Sequence, residues 1–323
     1  TGDVTALGGP GRIVAVGECM VELVDRGGGD AGIGYGGDTL NSAVYLARLG
    51  ESVAYATALG DDPYSGAMRA AWAEEGIALD AVVIAPGEVA GLYAIRVDGR
   101  GERHFTYWRS QAPVRRLFDW PGAGAVEDAV RDAGLVLLSG ITLMVLDPAQ
   151  RARLRDVLAA AKARGAAVAF DSNYRARGWR SAPEAVEAMA PFVALADMML
   201  PSVDDERALR GLGDAPGVAA HYLAMGVPEV VVKQAARGAL VATADERMQV
   251  PAVPVVEVVD TTAAGDAFNA AYLAARRRGD SPSAAARQGA LLAARVVQHR
   301  GAIVPPSALA DLRSERAERD RAS

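Results

Sequence analysis

Residues 258–279 read VVDTTAAGDAFNAAYLAARRRG. A β-branched run ends in Asp260. Two threonines, two alanines and Gly265 then separate it from Asp266 and a long alanine-rich segment. The spacing predicts a strand end followed by the first turn of a helix. Ala263, Ala264 and Gly265 carry little or no side chain, so their backbone N–H groups can approach a ligand closely. On the first turn of a helix those N–H groups have no intrahelical acceptor, and the helix dipole favours an anion. That describes a cradle for charge developing on a phosphoryl group. Asp266 sits beside it, although an anion site needs no carboxylate. Two explanations remain open from spacing alone. Asp266 takes a proton from an attacking hydroxyl, or it stabilises a helix N-terminus while Ala270, Ala271 and Ala274 allow close packing.

Working outward, short apolar runs alternate with amphipathic ones. "GLVLLSG" (134–140) precedes a helix over 148–165, and "AAVAFDSN" (166–173) precedes one over 182–195. "ADMMLPS" (196–202), "EVVVKQ" (229–234) and "VVEVVD" (255–260) continue the strands. Earlier, "RIVAVGECMVELV" (12–24) reads as one buried strand, and "TLNSAVYLARLG" (39–50) as a helix stopped by Gly50. "SVAYATALG" (52–60) reads as a strand and residues 66–76 as a short helix. This alternation predicts an α/β fold with a central, mostly parallel sheet flanked by helices on both faces. Residues 87–109 differ: Tyr93, Ile95 and Val97 alternate against Ala94 and Arg96, with "DGRGE" (98–102) as a hairpin turn. They predict a small β-sheet lid. The glycine-rich "GGPG" (8–11) precedes a strand, where a dinucleotide fingerprint would follow one, so it reads as a floppy terminus.

Composition excludes several classes. The chain has 323 residues, about half of them apolar, and a formal net charge of -6. That balance disfavours nucleic-acid and membrane-surface binding. No stretch is apolar and long enough to span a bilayer. The single cysteine, Cys19, cannot form an internal disulfide, which suits a reducing cytoplasm, and it reads as a small core residue. The three histidines, His104, His221 and His299, are too scattered to suggest a zinc site. No Gly-Lys-Ser/Thr occurs, against a P-loop kinase, and no strand leads into Gly-x-Gly-x-x-Gly, against a dehydrogenase.

"DTTAAGDAF" (260–268) resembles the second signature of the ribokinase-like (PfkB) carbohydrate kinases, whose final Asp is the catalytic base. "YGGDTLNSAVYLARLG" (35–50) resembles the first signature, "ALGDDPYSG" (58–66) the Gly-Asp-Asp segment, and "FDSNYRARGW" (170–179) the Asp-x-Asn-x-Arg segment. The motifs run in order over about residues 12–305. The resemblance implies one ribokinase-like unit over 12–314, a lid from 18–37 and 87–109, and flexible termini at 1–11 and 315–323. It implies ATP and Mg2+ as cofactors, with a monovalent cation such as K+ as a further one. It makes Asp266 the base and Ala263, Ala264 and Gly265 the anion hole. Gly36, Gly37 and Asn41 would touch sugar hydroxyls, and Asn173 would lie near the phosphates. Ser202, Lys233, Gly238 and Gly265 fall on the ATP side.

The chain departs from the family pattern in three places. Ala263 stands where the usual form has Gly, a feature familiar from the 2-keto-3-deoxygluconate kinases. Ser202 and Asp205 stand where Asn and Glu are common near the metal, so Asp205 would act on magnesium through water. Ala235 stands where a Gly follows the Lys position.

"YWR" (107–109) bears on the substrate. Arg matches a carboxylate with two parallel hydrogen bonds, and Arg109 and Arg175 could both face an acidic sugar, with Tyr93 and Tyr107 beside it. That combination resembles 2-keto-3-deoxygluconate kinases. A fructokinase or other sugar kinase is the alternative within the class, and a catalytically silent sugar- or nucleotide-binding protein the alternative outside it. The expected partners are a sugar acid, ATP and a second copy of the chain.

Overall fold

The computed structural model describes residues 7–97 and 103–309. In chain order the strands are β1 (Ile13–Val16), β2 (Met20–Gly27), β3 (Asp30–Gly36), β4 (Val53–Gly60), β5 (Val82–Ala85), β6 (Leu92–Val97), β7 (Arg103–Trp108), β8 (Leu135–Ser139), β9 (Ala167–Asp171), β10 (Met198–Met199), β11 (Glu229–Lys233), β12 (Ala239–Thr243) and β13 (Arg247–Val250). The helices are α1 (Asp38–Arg48), α2 (Pro63–Glu74), α3 (Gly124–Arg131), α4 (Gly140–Val145), α5 (Pro148–Ala163), α6 (Ala182–Val193), α7 (Val203–Arg210), α8 (Ala215–Ala224), α9 (Ala264–Arg277) and α10 (Pro282–Val296).

The larger sheet has the order β13-β12-β11-β10-β9-β8-β1-β4-β5. From β5 to β11 every pairing is parallel, and β12 and β13 add antiparallel edge strands. The central strands are buried end to end, as a sheet covered on both faces requires. One core cluster, with Phe170, Phe192 and Tyr222, fills one face. The other, with Tyr45, Tyr55, Trp72 and Tyr272, fills the opposite face. The smaller sheet has the order β3-β2-β6-β7. Here β2 pairs parallel with β6, while both hairpins are antiparallel.

Four expectations need correction. Residues 12–24 are two strands in different sheets, because β1 ends at Val16 and β2 begins at Met20. The break needs Gly17, where a Cβ would lie 2.1 Å from the Thr39 hydroxyl. Residues 255–260 form no strand; β13 already closes that edge, and Val256 is fully exposed. The helix expected from residue 66 starts at Pro63, capped by Asp62, whose carboxylate accepts the N–H groups of Tyr64 and Ser65. Residues 8–11 are packed rather than floppy. Arg277 donates to the carbonyls of Gly9 and Gly11, and a Cβ on Gly8 would meet the Gly134 carbonyl at 2.2 Å. The hairpin turn at 98–102 and the tail beyond 309 lie outside the described residues.

Candidate active site

A cavity of about 960 Å³ opens at the carboxyl ends of the parallel strands and runs under the small sheet. This is where an open α/β sheet gathers ligands. Its floor is the start of α9. Ala263 is the N-cap in a left-handed conformation (φ 59°), and no side chain caps the helix. The Ala264 N–H donates to the Thr261 carbonyl, and the dipole end of a 14-residue helix faces the cavity. Gly265 lines the cavity, and a Cβ there would approach only the Lys233 side chain, at 3.7 Å or more. Asp260, which the sequence left without a role, holds the preceding loop. Its Oδ1 accepts from Thr262 N–H and hydroxyl, and its Oδ2 from the N–H of Gly301.

Asp266 lies on the first turn of α9 and lines the cavity. Helix α1 clamps it: Asn41 Nδ2 donates to its Oδ2 at 2.9 Å, and the Ser42 hydroxyl to its backbone carbonyl at 3.1 Å. Burial first, then the nearby Asp38 carboxylate, push the Asp266 carboxyl up to about 7. A carboxylate with that affinity for protons suits general base work near neutrality. Asn41 Oδ1 is buried without a hydrogen-bond partner, so one acceptor beside the base stays open.

Gly36 and Gly37 form the junction of β3 and α1. A Cβ on Gly37 would lie 2.0 Å from the Glu18 carbonyl, and one on Gly36 2.4 Å from the Tyr93 hydroxyl. Close backbone approach makes Gly37 obligatory, whereas at Gly36 the neighbour is a side-chain tip, and both line the cavity.

Around the far side, Lys233 at the end of β11 donates to Asp171 Oδ2 at 2.6 Å and to Asn269 Oδ1 at 3.0 Å. Asn173 has a positive φ of 27° and donates from Nδ2 to Asp38 Oδ2 at 2.6 Å. Ser202 is the N-cap of α7, accepting from the Asp205 N–H. Gly238 can only be glycine: its φ is 87°, and a Cβ would sit 2.1 Å from the Val250 carbonyl. Asn173, Ser202, Asp205, Lys233 and Gly238 all line the cavity. Beyond them the wall is apolar, with Val253, Val255, Val258, Ala290, Ala293 and Val297. The β-branched run expected as a strand supplies part of this wall.

The residues expected at an acidic group divide. Arg175 lines the cavity with its side chain half exposed, donating to Asp205 Oδ1 at 3.2 Å. Arg109 is absent from the lining. It forms an ion pair with the buried Glu18 and lies 5.6 Å from the centre of the Tyr107 ring. Tyr107 is 46% exposed and lines the cavity, while the Tyr93 hydroxyl donates to Glu22 Oε2 at 2.5 Å. Sequence reasoning missed Glu18, Asp38, Asp171 and Asn269. Asp38 and Asp171 lay inside the quoted motifs and Asn269 inside the opening stretch, so the signal was present; nothing in the sequence marked Glu18.

The model of the pfkB family of carbohydrate kinases matches residues 11–309. The chain belongs to that family. This pfkB kinase is 42% identical over 305 residues to a 2-dehydro-3-deoxygluconokinase of Dickeya dadantii, covering 92% of this chain and 98% of the relative. It is 30% identical over 265 residues to a fructokinase of Klebsiella pneumoniae, covering 82% and 84%. Among solved structures, a PfkB protein from Polaromonas superposes with a TM-score of 0.79 at 27% identity, covering 92% and 98%. Among the described residues no helix is long and apolar enough to cross a membrane, and no group of three or more His, Cys, Asp or Glu could hold a metal ion.

Proposed function

We propose that this pfkB kinase transfers the γ-phosphoryl group of MgATP to the terminal hydroxyl of a 2-keto-3-deoxy sugar acid, turning 2-keto-3-deoxygluconate into its 6-phosphate. The observation that carries the chemistry is Asp266 on the uncapped first turn of α9, at the floor of a cavity large enough for sugar and nucleotide together. Asp266 takes the hydroxyl proton as the oxygen attacks the γ-phosphorus. The new O–P bond forms, the bond to the β-phosphate oxygen breaks, and ADP leaves with that electron pair. The first turn at Ala263–Gly265, whose Ala264 N–H is shared with the Thr261 carbonyl, would meet the charge that spreads over the phosphoryl oxygens. Lys233 and Asn173 line the phosphate side, and the apolar wall from α10 receives the base. Magnesium would come with ATP as part of the substrate, held mostly by water and phosphate, and Asp205, paired here with Arg175, would be the carboxylate to meet its water shell. A monovalent cation such as K+ is the remaining requirement, tested by comparing turnover in K+ and Na+.

The acid substrate is supported by the 42% identical relative's name and by Arg175 in the cavity lining. One observation favours a neutral sugar such as fructose instead. Arg109 is neutralised by Glu18 and stands outside the lining. ADP release measured on 2-keto-3-deoxygluconate and fructose separates the readings. With an acid substrate, Arg175→Ala raises KM for the acid about 10–150-fold, the worth of a charge-assisted hydrogen bond of roughly 1.5–3 kcal/mol, and leaves fructose turnover unmoved. Preference of the wild type for fructose, or equal loss on both sugars, replaces this reading with fructokinase. The exposed edges of the small sheet support a homodimer by strand contact, which sedimentation velocity tests.

A further inference from the structure

Behind the base lies a second, much smaller space. A void of about 10 Å³ is lined by Asp38, Asp171, Asp266, Ser139, Ser42 and Asn269, among others. That is about the size of one water molecule, and the lining supplies more than the two to four polar partners a buried water needs. Asp38, the first residue of α1, lines both this void and the main cavity. Its Oδ2 receives Asn173 Nδ2, whereas its Oδ1 is buried and makes no hydrogen bond.

The charges around the void do not balance. Asp171 is occupied by Lys233 and by Asn269, both donating to its Oδ2. Lys233 is thereby the partner of one carboxylate out of three. Asp266 has the neutral Asn41 amide, with Lys233 acting on it only as a more distant charge, and Asp38 has neutral donors alone: the Asn173 amide, with the Ser139 hydroxyl and the Thr39 N–H beside it. The other ionisable groups facing the pair are Glu18 after β1, Tyr55 on β4 and Tyr45 on α1, and none of them brings a positive charge. Two carboxylates on one small void, with the nearest cation committed to a third, resist ionising together.

We infer that Asp38 is a positioning residue for the base: it and Asp266 hold one proton between them across the water-sized void, so the state of Asp38 decides how readily Asp266 accepts the sugar's proton. The directions of titration agree. Burial raises both carboxyls, and Asp38 is the largest charged contributor to the rise at Asp266. Asp38 acts through Asp266 and takes no part in bond making.

The inference rests on Asp266 as the base of the proposed kinase, and its test has two arms. In the first, the pH profile of kcat/KM is measured on 2-keto-3-deoxygluconate with MgATP for wild type, Asp38→Asn and Asp38→Ser. The acid limb of both variants is expected to move down by about one pH unit. At pH 6 each then keeps about a fivefold larger share of its own plateau rate than wild type does. An acid limb that stays in place while the plateau falls overturns the inference, because a merely structural role for Asp38 gives that pattern. The second arm needs no turnover. Without substrate, wild type is expected to lose thermal stability between pH 5 and 8 as Asp266 ionises. The loss should shrink in Asp38→Asn, and an equal loss in both overturns the inference. If no sugar is phosphorylated, the kinase reading fails, while the stability arm still reports on the carboxyl pair.

Discussion

Ala263 and Ala235 occupy left-handed backbone, at φ 59° and φ 50°, on the wall of the cavity. Both are the positions where the family pattern has glycine. A left-handed conformation costs an L-residue roughly 1–2 kcal/mol, offset in part by the greater freedom of glycine in the unfolded chain, about 0.4–1 kcal/mol. Ala263→Gly and Ala235→Gly should each stabilise the protein by about 0.5–1 kcal/mol, read from the urea midpoint at constant slope. A lowered midpoint would show that the methyl groups pack favourably enough to outweigh the backbone strain. The base makes a sharper prediction. Asp266→Asn keeps the acceptor for Asn41 and removes the proton acceptor, so kcat should fall about 10²–10⁴-fold with little change in ATP binding. The sign of its effect on stability is unusual. Because the folded carboxyl is raised to about 7, its stabilising contribution is full below about pH 4, the ordinary Asp range, and is lost as pH rises through 7. At pH 8 the Asn variant should therefore be more stable than wild type by about 2–4 kcal/mol at 1.36 kcal/mol per pKa unit, with the gap shrinking to about 1.5 kcal/mol at pH 5 and closing below about pH 4. Near-normal turnover by the Asn variant would reduce Asp266 to a helix-terminus residue.

At the level of elements, α9 and α1 meet through the base, and each is fixed by a loop contact. The Asp260 carboxylate holds the loop before α9 with three hydrogen bonds. Asp260→Ala should loosen the anion cradle. We expect a loss of about 1–3 kcal/mol in stability and a larger fall in kcat than in sugar affinity, because the cradle N–H groups act as charge develops. Equal changes in kcat and KM would place the loop's role in binding alone. The α1 side depends on the close approach of Gly37 to the Glu18 carbonyl. In Gly37→Ala the clash is with backbone, which has little room to yield. It should destabilise by about 1–3 kcal/mol and displace Asp38 and Asn41 together. A thermal melt beside sugar titration checks both effects.

Over the whole molecule, one cavity is lined by both sheets and by α1, α9 and α10. Ligands that touch all of these stabilise the assembled state alone. A ligand at a hundred times its Kd contributes about 2.7 kcal/mol, or a rise of about 5 °C in Tm for a chain of this length. MgATP with sugar acid should raise Tm more than MgATP with fructose if the acid reading holds. Identical shifts favour the neutral-sugar reading.

Much of this was legible locally. Periodicity identified the parallel α/β sheet and the antiparallel hairpin of β6 and β7, because buried strands and amphipathic helices have distinct patterns. The small residues at 263–265 and the carboxylate at 266 marked the floor of the cavity for the same reason: local backbone chemistry is written in consecutive residues. What the sequence could not contain was juxtaposition. The run at 12–24 reads as one strand, yet Gly17 sends it into a second sheet, because the Thr39 hydroxyl stands where a Cβ would go. The run at 255–260 has a strand's composition, yet Val255 and Val258 line a cavity and Val256 is exposed, because β13 had already closed the sheet. Arg109 looked like a ligand for a carboxylate until the fold placed Glu18, 91 residues earlier, against it. Asp38 and Asp266 stand 228 residues apart by their numbering, and only the packing of α1 on α9 brings their charges onto one void. Sequence sets what each residue can do; long-range packing decides which charges must share one small space.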